Sequence, residues 1–179
     1  MATILIFAAI GVPWVGATLV WFIGDKRPNW QHLAASIFSA IAAICSLLLL
    51  HSSNWGVTDS PLQILAVGPT IGSFSFVVDA LSIYLAAIAT VIGSLSVIFS
   101  VGYMSGSPQL GRYYVLVLLF IGSMCGLVFS GNLLFLFLFW EATAFCSYAL
   151  IAFHNDDPKA VAAGMKALII TQFGGVGLL

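Results

Sequence analysis

Six apolar stretches, each about twenty residues long and divided by short polar breaks, leave this chain few ways to fold. Coiled into a helix, a stretch of that length crosses the ~30 Å hydrocarbon layer of a membrane. Only 6% of the 179 residues are charged, against roughly 25% in a soluble domain. The mean hydropathy is +1.14, so no part of the chain is left to form a soluble domain. The expected fold class is an all-α polytopic membrane protein of about six transmembrane helices.

The breaks locate the spans. Residues 3–23 form the first, kinked by Pro13 and closed by Gly24, Asp25, Lys26, Arg27 and Pro28. Met1 to Gly24 shows no basic leader and no small-x-small cleavage site, so the expectation is a retained first helix. The second span covers residues 30–50, with Trp30 and His32 at one interface and His51 and Trp55 at the other. Residues 63–67 and 73–77, joined by Gly68, Pro69, Thr70, Ile71 and Gly72, read as a small extracytoplasmic β-hairpin between helices 2 and 3. The third span follows over residues 77–101, with Asp79 suited to capping its first turn.

The fourth span, residues 112–129, carries Gly122, Gly126 and Ser130 at intervals that let another helix approach closely. Ser130, Gly131 and Asn132 make a minimal turn into an antiparallel fifth span, residues 133–153. Asp157 and Pro158 then read as the cap and first residue of a sixth helix. Lys26, Arg27, Arg112 and Lys159 all fall on one side of this plan, and the opposite loops carry no Lys or Arg. The positive-inside rule therefore places the amino terminus and the hairpin outside the cell membrane.

Several chemistries find no support. Cys45, Cys125 and Cys146 lie in apolar runs with no CxxC pair, as buried small hydrophobes do. A net charge of −1 without a basic cluster argues against nucleic acid. The sequence holds no nucleophile elbow, phosphate loop, metal-ligand cluster or cofactor signature, and Gly174, Gly175 and Gly177 sit inside an apolar helix, where they favour close packing.

The exception to this apolar pattern is Glu141, roughly 15 Å deep in the fifth span. A carboxylate at mid-bilayer costs at least ~2.5 kcal/mol and marks ion or proton pathways. Lys166 lies roughly 12 Å into the sixth helix from its inner end, where an antiparallel arrangement can bring it within one or two waters of Glu141. His154, beside Asp156 and Asp157 at the inner mouth of the fifth span, is a weaker candidate for proton access. A structural alternative is that Glu141 and Lys166 only lock two helices together, or that Lys166 snorkels to the interface.

In order and spacing, five segments resemble the antiporter-like membrane subunits of respiratory complex I, Mrp-type sodium/proton antiporters and membrane-bound hydrogenases, above all the L-type complex I subunit and the large Mrp subunit. They are Phe74 to Ser82, Ser130 to Leu134, Trp140-Glu141, Cys146 to Tyr148, and Ala162 to Ala167. The resemblance implies that Glu141 is a key residue of a proton path, and that it tunes a lysine on a broken seventh helix. It assigns Lys166, less firmly, to the same path. Complex I members tend to carry an arginine and an aspartate where this chain has Gln172 and Gly175, which leans toward the Mrp or hydrogenase branch.

The family plan has about fourteen helices with two inverted repeats. Residues 1–110 would supply helices 1–3 with the hairpin loop, and residues 111–179 the incomplete start of the first repeat. The chain would then be a fragment, or one piece of a split subunit completed by a second polypeptide. The expected function is the amino-terminal part of an ion-translocating subunit for protons, or for Na+/H+ exchange. Such a subunit is not itself a redox enzyme, binds no cofactor, and works among other membrane subunits of a translocase in the inner membrane. Two other functions compete: a small proton-coupled exporter, against which the complete Lys/Arg bias argues, and a purely structural membrane subunit.

Overall fold

The computed structural model describes residues 2–25, 27–52, 62–66 and 73–177. Six helices dominate it: α1 (Ala2–Ile23), α2 (Pro28–Ser52), α3 (Ala80–Tyr103), α4 (Leu110–Phe129), α5 (Leu133–Ile151) and α6 (Pro158–Val176). The first five are long and apolar enough to cross a membrane. The protein is an integral, multi-pass helical membrane protein. α6, interrupted by Lys159, Lys166 and a terminal glycine pair, falls outside that group of five.

The helix ends follow local chemistry. Asp79 Oδ1 accepts from Ser82 N at 2.7 Å while Ser82 Oγ accepts from Asp79 N at 3.0 Å, a reciprocal capping box at the start of α3. Val77 and Val78 therefore precede the helix; Val77 N instead donates to Phe129 O at 2.9 Å, which is why α3 begins later than the hydrophobicity predicts. Asn132 caps α5 by accepting from Leu134 N (2.8 Å), and Asp157 caps α6 by accepting from Lys159 N (2.9 Å), with Pro158 in the first position.

α4 has no such cap of its own: Gln109 is left-handed at φ 62° and makes no side-chain cap bond. Asp25, from the turn after α1, supplies the missing acceptor by taking a bond from Gly111 N at 2.9 Å. The same carboxylate oxygen accepts from Gln31 Nε2 at 3.3 Å, so one acid ties α1, α2 and α4 together. Beside it, the His32 ring and the buried Tyr114 hydroxyl share a 2.6 Å hydrogen bond between α2 and α4.

Between α2 and α3 only two extended segments are described, β1 (Leu62–Ala66) and β2 (Ser73–Phe76). The turn expected at Gly68 to Gly72 lies outside the described residues. β2 meets the α4–α5 turn, where Gly131 N donates to Ser75 O at 2.9 Å and Phe76 pairs with Ser130.

α4 is the hub, packed on α1, α3 and α5. Without a hydrophobic drive between helices in lipid, such packing depends on close contact and internal hydrogen bonds. The stripe on α4 provides that closeness to two neighbours. A Cβ on Gly122 would collide with Trp14 and come within 2.7 Å of Ile10 O on α1, and one on Gly126 would collide with Phe139 on α5. Between α2 and α3, the buried Ser46 and Thr90 hydroxyls bond to each other. Among the described residues three clusters fill the interior, one around Tyr114, Leu118 and Val20, another around Phe129, Ile6 and Leu49, and a small one of Leu116, Cys146 and Ala149. The exposed Ile4, Phe22, Leu95 and Phe99 face outward, as lipid contact requires. All three cysteines are free; Cys125 and Cys146 are buried and Cys45 partly so, as the apolar setting implied.

Candidate functional site

α5 places its carboxylate by helix geometry. From the Asn132 cap, Glu141 lies nine residues along, roughly 13 Å from that end and about 15 Å from the other. It is partly buried and turned toward α6. Gln172 Nε2 donates a hydrogen bond to Glu141 Oε2. Oε1 is buried and has no hydrogen-bond partner among the described residues. A Cβ built on Gly175 would stand 2.7 Å from that oxygen, 3.4 Å from Phe137 and 3.7 Å from Trp140, so the carboxyl group approaches the α6 backbone where a side chain would otherwise be.

The seam between α5 and α6 explains this approach. Near the start of α6 Gly164 packs on Ala152, with a Cβ position 2.9 Å from its methyl and 3.2 Å from Tyr148 O. Three turns further along both antiparallel helices, about 11 residues, the same register sets Gly175 against Glu141. Gln172 is one turn before Gly175 and therefore shares its face. The chain thus brings a mid-helix acid, a neutral amide and a bare stretch of backbone to one point.

Glu141 and Lys166 are not brought together. Lys166 is exposed and precedes Gly175 by nine residues, which at ~100° per residue turns it to the opposite side of α6, displaced roughly 13 Å toward the start of that helix. Its ammonium therefore faces away from the α5 seam. His154 is exposed beyond the end of α5, its ring edge-on to Phe153 at 5.5 Å. It stands roughly 20 Å along the chain axis from Glu141. Arg112 sits over the same Phe153 ring at 5.9 Å, so aromatic and basic groups gather at that end of the bundle. Asp157 is used as the α6 cap, and Asp156 is exposed.

From the sequence Gly175 reads as a close-packing glycine, and Gln172 and Gly175 as departures from a family pattern, but nothing there pairs either with Glu141. Their three-residue spacing, which places a polar group and a gap on one helix face, was the available signal. Sequence reasoning also missed the Asp25, Gln31 and Gly111 junction, because a cap supplied from another helix has no local signature.

Comparison with known proteins gives a consistent pattern. Residues 65–114 match the family model described as NADH-ubiquinone oxidoreductase (complex I), chain 5 N-terminus, and residues 130–179 match that of NADH:quinone oxidoreductase/Mrp antiporter, transmembrane. The chain is 48% identical over 112 residues to Na(+)/H(+) antiporter subunit A1 of Staphylococcus haemolyticus, a match covering 62% of this chain and 14% of that protein. It is 44% identical over 107 residues to the subunit A1 of Staphylococcus aureus, covering 60% and 13%. The chain therefore spans only a small part of the curated relatives it matches. Among solved structures, a chain of the membrane-bound sulfane sulfur reductase, an archaeal respiratory membrane complex, superposes with a TM-score of 0.67 over 98% of this chain and 34% of that one. At 23% identity that likeness concerns the fold alone.

Proposed function

Because this chain belongs to the antiporter-like membrane subunit family that complex I and the Mrp antiporters share, we propose that it forms the amino-terminal part of an ion-translocating subunit in a multisubunit membrane complex. The ion carried is the proton, exchanged for Na+ in a complex of the Mrp kind. The single observation that carries this reading is the Glu141 carboxyl, set at mid-helix and held by a neutral partner, with no cation paired to it among the described residues. A purely structural acid in lipid gains most from a paired cation. A carboxyl group that must load and release a proton is better served by a neutral neighbour.

In this proposal Glu141 is the station on the proton path. Lys166, on the far side of α6, serves a later station shared with helices that pack on that side. His154 lies at the inner mouth. The amino terminus and the β1–β2 region face outward across the inner membrane, and α6 completes the sixth crossing. Other membrane subunits, or a second polypeptide bearing further helices of the family plan, complete the path.

The test is Glu141→Gln in the complete subunit within its membrane complex. Ion-coupled proton movement in everted vesicles is expected to fall at least tenfold while the complex still assembles. Unchanged transport at normal assembly would sink the proposal and leave the helix-locking role.

A further inference from the structure

We propose that Gln172 is a positioning residue that accompanies the Glu141 carboxyl group in both of its protonation states, by turning its terminal amide end for end. The inference rests on the reading of Glu141 as a proton-exchanging group and goes on to name what lets it exchange.

The geometry restricts how Glu141 is partnered. Oε1 is buried against α6 at Gly175, whose Cβ position Phe137 and Trp140 also approach, and no donor among the described residues reaches it. All hydrogen bonding to the carboxyl group therefore passes through Oε2, and there the partner is Gln172. A carboxylate with a single neutral donor is poorly compensated in an apolar setting, where buried ions ordinarily collect several donors or a counter-charge. The charges on the packed elements lie elsewhere. α4 offers Arg112 at its inner end, with Tyr113, Tyr114 and Cys125 directed into the bundle; α5 adds Cys146, buried against Leu116, and Tyr148; α6 adds Lys159 at its start and Lys166 on its far side.

A glutamine suits this position because its amide has a donor end and an acceptor end. With Nε2 forward it donates to the ionised carboxylate, as seen here. Rotated by half a turn about its last bond, it presents its carbonyl oxygen and accepts from the carboxylic O–H. The proton arrives from water on the path and returns to it, and one Glu141–Gln172 hydrogen bond persists throughout. An arginine at position 172 has donors only and a permanent charge, so it would hold the carboxylate form. A methionine would partner neither form.

Carbodiimide labelling separates these cases, because dicyclohexylcarbodiimide adds to the protonated carboxyl group and not to the carboxylate. The experiment follows the labelling rate at Glu141 by mass spectrometry in the complete subunit, in membranes, from pH 6 to 9, alongside transport. Gln172→Arg is expected to slow labelling at least tenfold at neutral pH and to abolish transport. Gln172→Met is expected to label at least as fast as the parent yet transport several-fold more slowly, since the carboxylate form has lost its donor. Gln172→Glu, which again offers a donor or an acceptor according to its proton, is expected to retain part of the transport with an altered pH profile. Equal labelling rates in the parent, Arg and Met proteins would overturn the inference. If Glu141→Gln transports normally, the underlying functional reading fails instead, whatever the Gln172 variants do.

Discussion

α4 and α5 lie side by side and are equally apolar to the eye, yet 56% of the most apolar stretch of α4 is buried within the protein and only 11% of that of α5. The difference divides the molecule. Helices α1 to α4 form a close-packed bundle whose polar groups are spent on each other: Asp25 on Gly111 and Gln31, His32 on Tyr114, Ser46 on Thr90. α5 and α6 form an outlying pair in which α6 packs chiefly on α5, and Glu141 keeps an oxygen without a partner among the described residues. Polar groups in the bundle hold helices together. In the α5–α6 pair the acid is held by a single amide, that of Gln172.

Adding a side chain to a glycine in each region tests that division most severely. Gly122→Leu, in the bundle, drives a side chain into Trp14 and the Ile10 carbonyl. Neither backbone nor indole can yield cheaply, so the expected loss is about 3 kcal/mol or more, read as failed assembly or a much lower melting temperature of the complete subunit in detergent. Gly175→Ala, in the outlying pair, adds only a methyl group 2.7 Å from Glu141 Oε1. The flexible glutamate can swing aside, so assembly is expected to survive while transport drops about tenfold, in line with the cost of misplacing a reacting group by an ångström. Equal effects of both changes on assembly would erase the distinction between the two regions.

The same division decides how much of the molecule was legible in the sequence. Spans 1 to 5 announced themselves through length and hydropathy, and the caps at Asp79 and Asp157 through residue type followed by a helical run, because both signals are local; Asn132 read only as part of a turn. Glu141 was legible for the opposite reason: a lone carboxylate in an apolar run is conspicuous. What surrounds it was not. Whether Lys166 or Gln172 meets Glu141 depends on the rotation of α6 about its axis, and the Gly164 contact with Ala152 that fixes this rotation is a relation between two helices. α6 itself offered two lysines and a glycine pair, so its composition left the crossing weakly specified. Asp25 was visible as a loop acid, but its partner Gly111 is 86 residues away.

A smaller effect sharpens the account of the bundle. Asp25 substitutes for the cap that Gln109 does not provide, so Asp25→Ala leaves Gly111 N without its acceptor and Gln31 Nε2 without its partner. A lost cap costs about 1 kcal/mol. Asp25→Asn, which keeps an acceptor oxygen, is expected to restore most of that loss. Denaturation of the three proteins in parallel checks the order, and transport should follow assembly alone.

The least change is expected at Asp79, where the charge does local work at a helix end and none at the site. Hydrogen bonds from Ser82, side chain first and backbone next, hold its carboxyl below the usual carboxylate range. A group whose folded value is depressed adds stability above its unfolded value of about 3.9. That contribution disappears as the pH falls through the lower folded value, when protonation removes the charge that Ser82 N stabilises. Asp79→Asn preserves an acceptor at the cap but cannot titrate, so between pH 7 and 3 the melting temperature of the parent should decline slightly more than that of the variant. Solvent reaches the group, which limits the difference to about 0.5 kcal/mol. If the variant instead lost transport at pH 7 with assembly intact, Asp79 would have to be moved from the capping of α3 to the chemistry of α5 and α6.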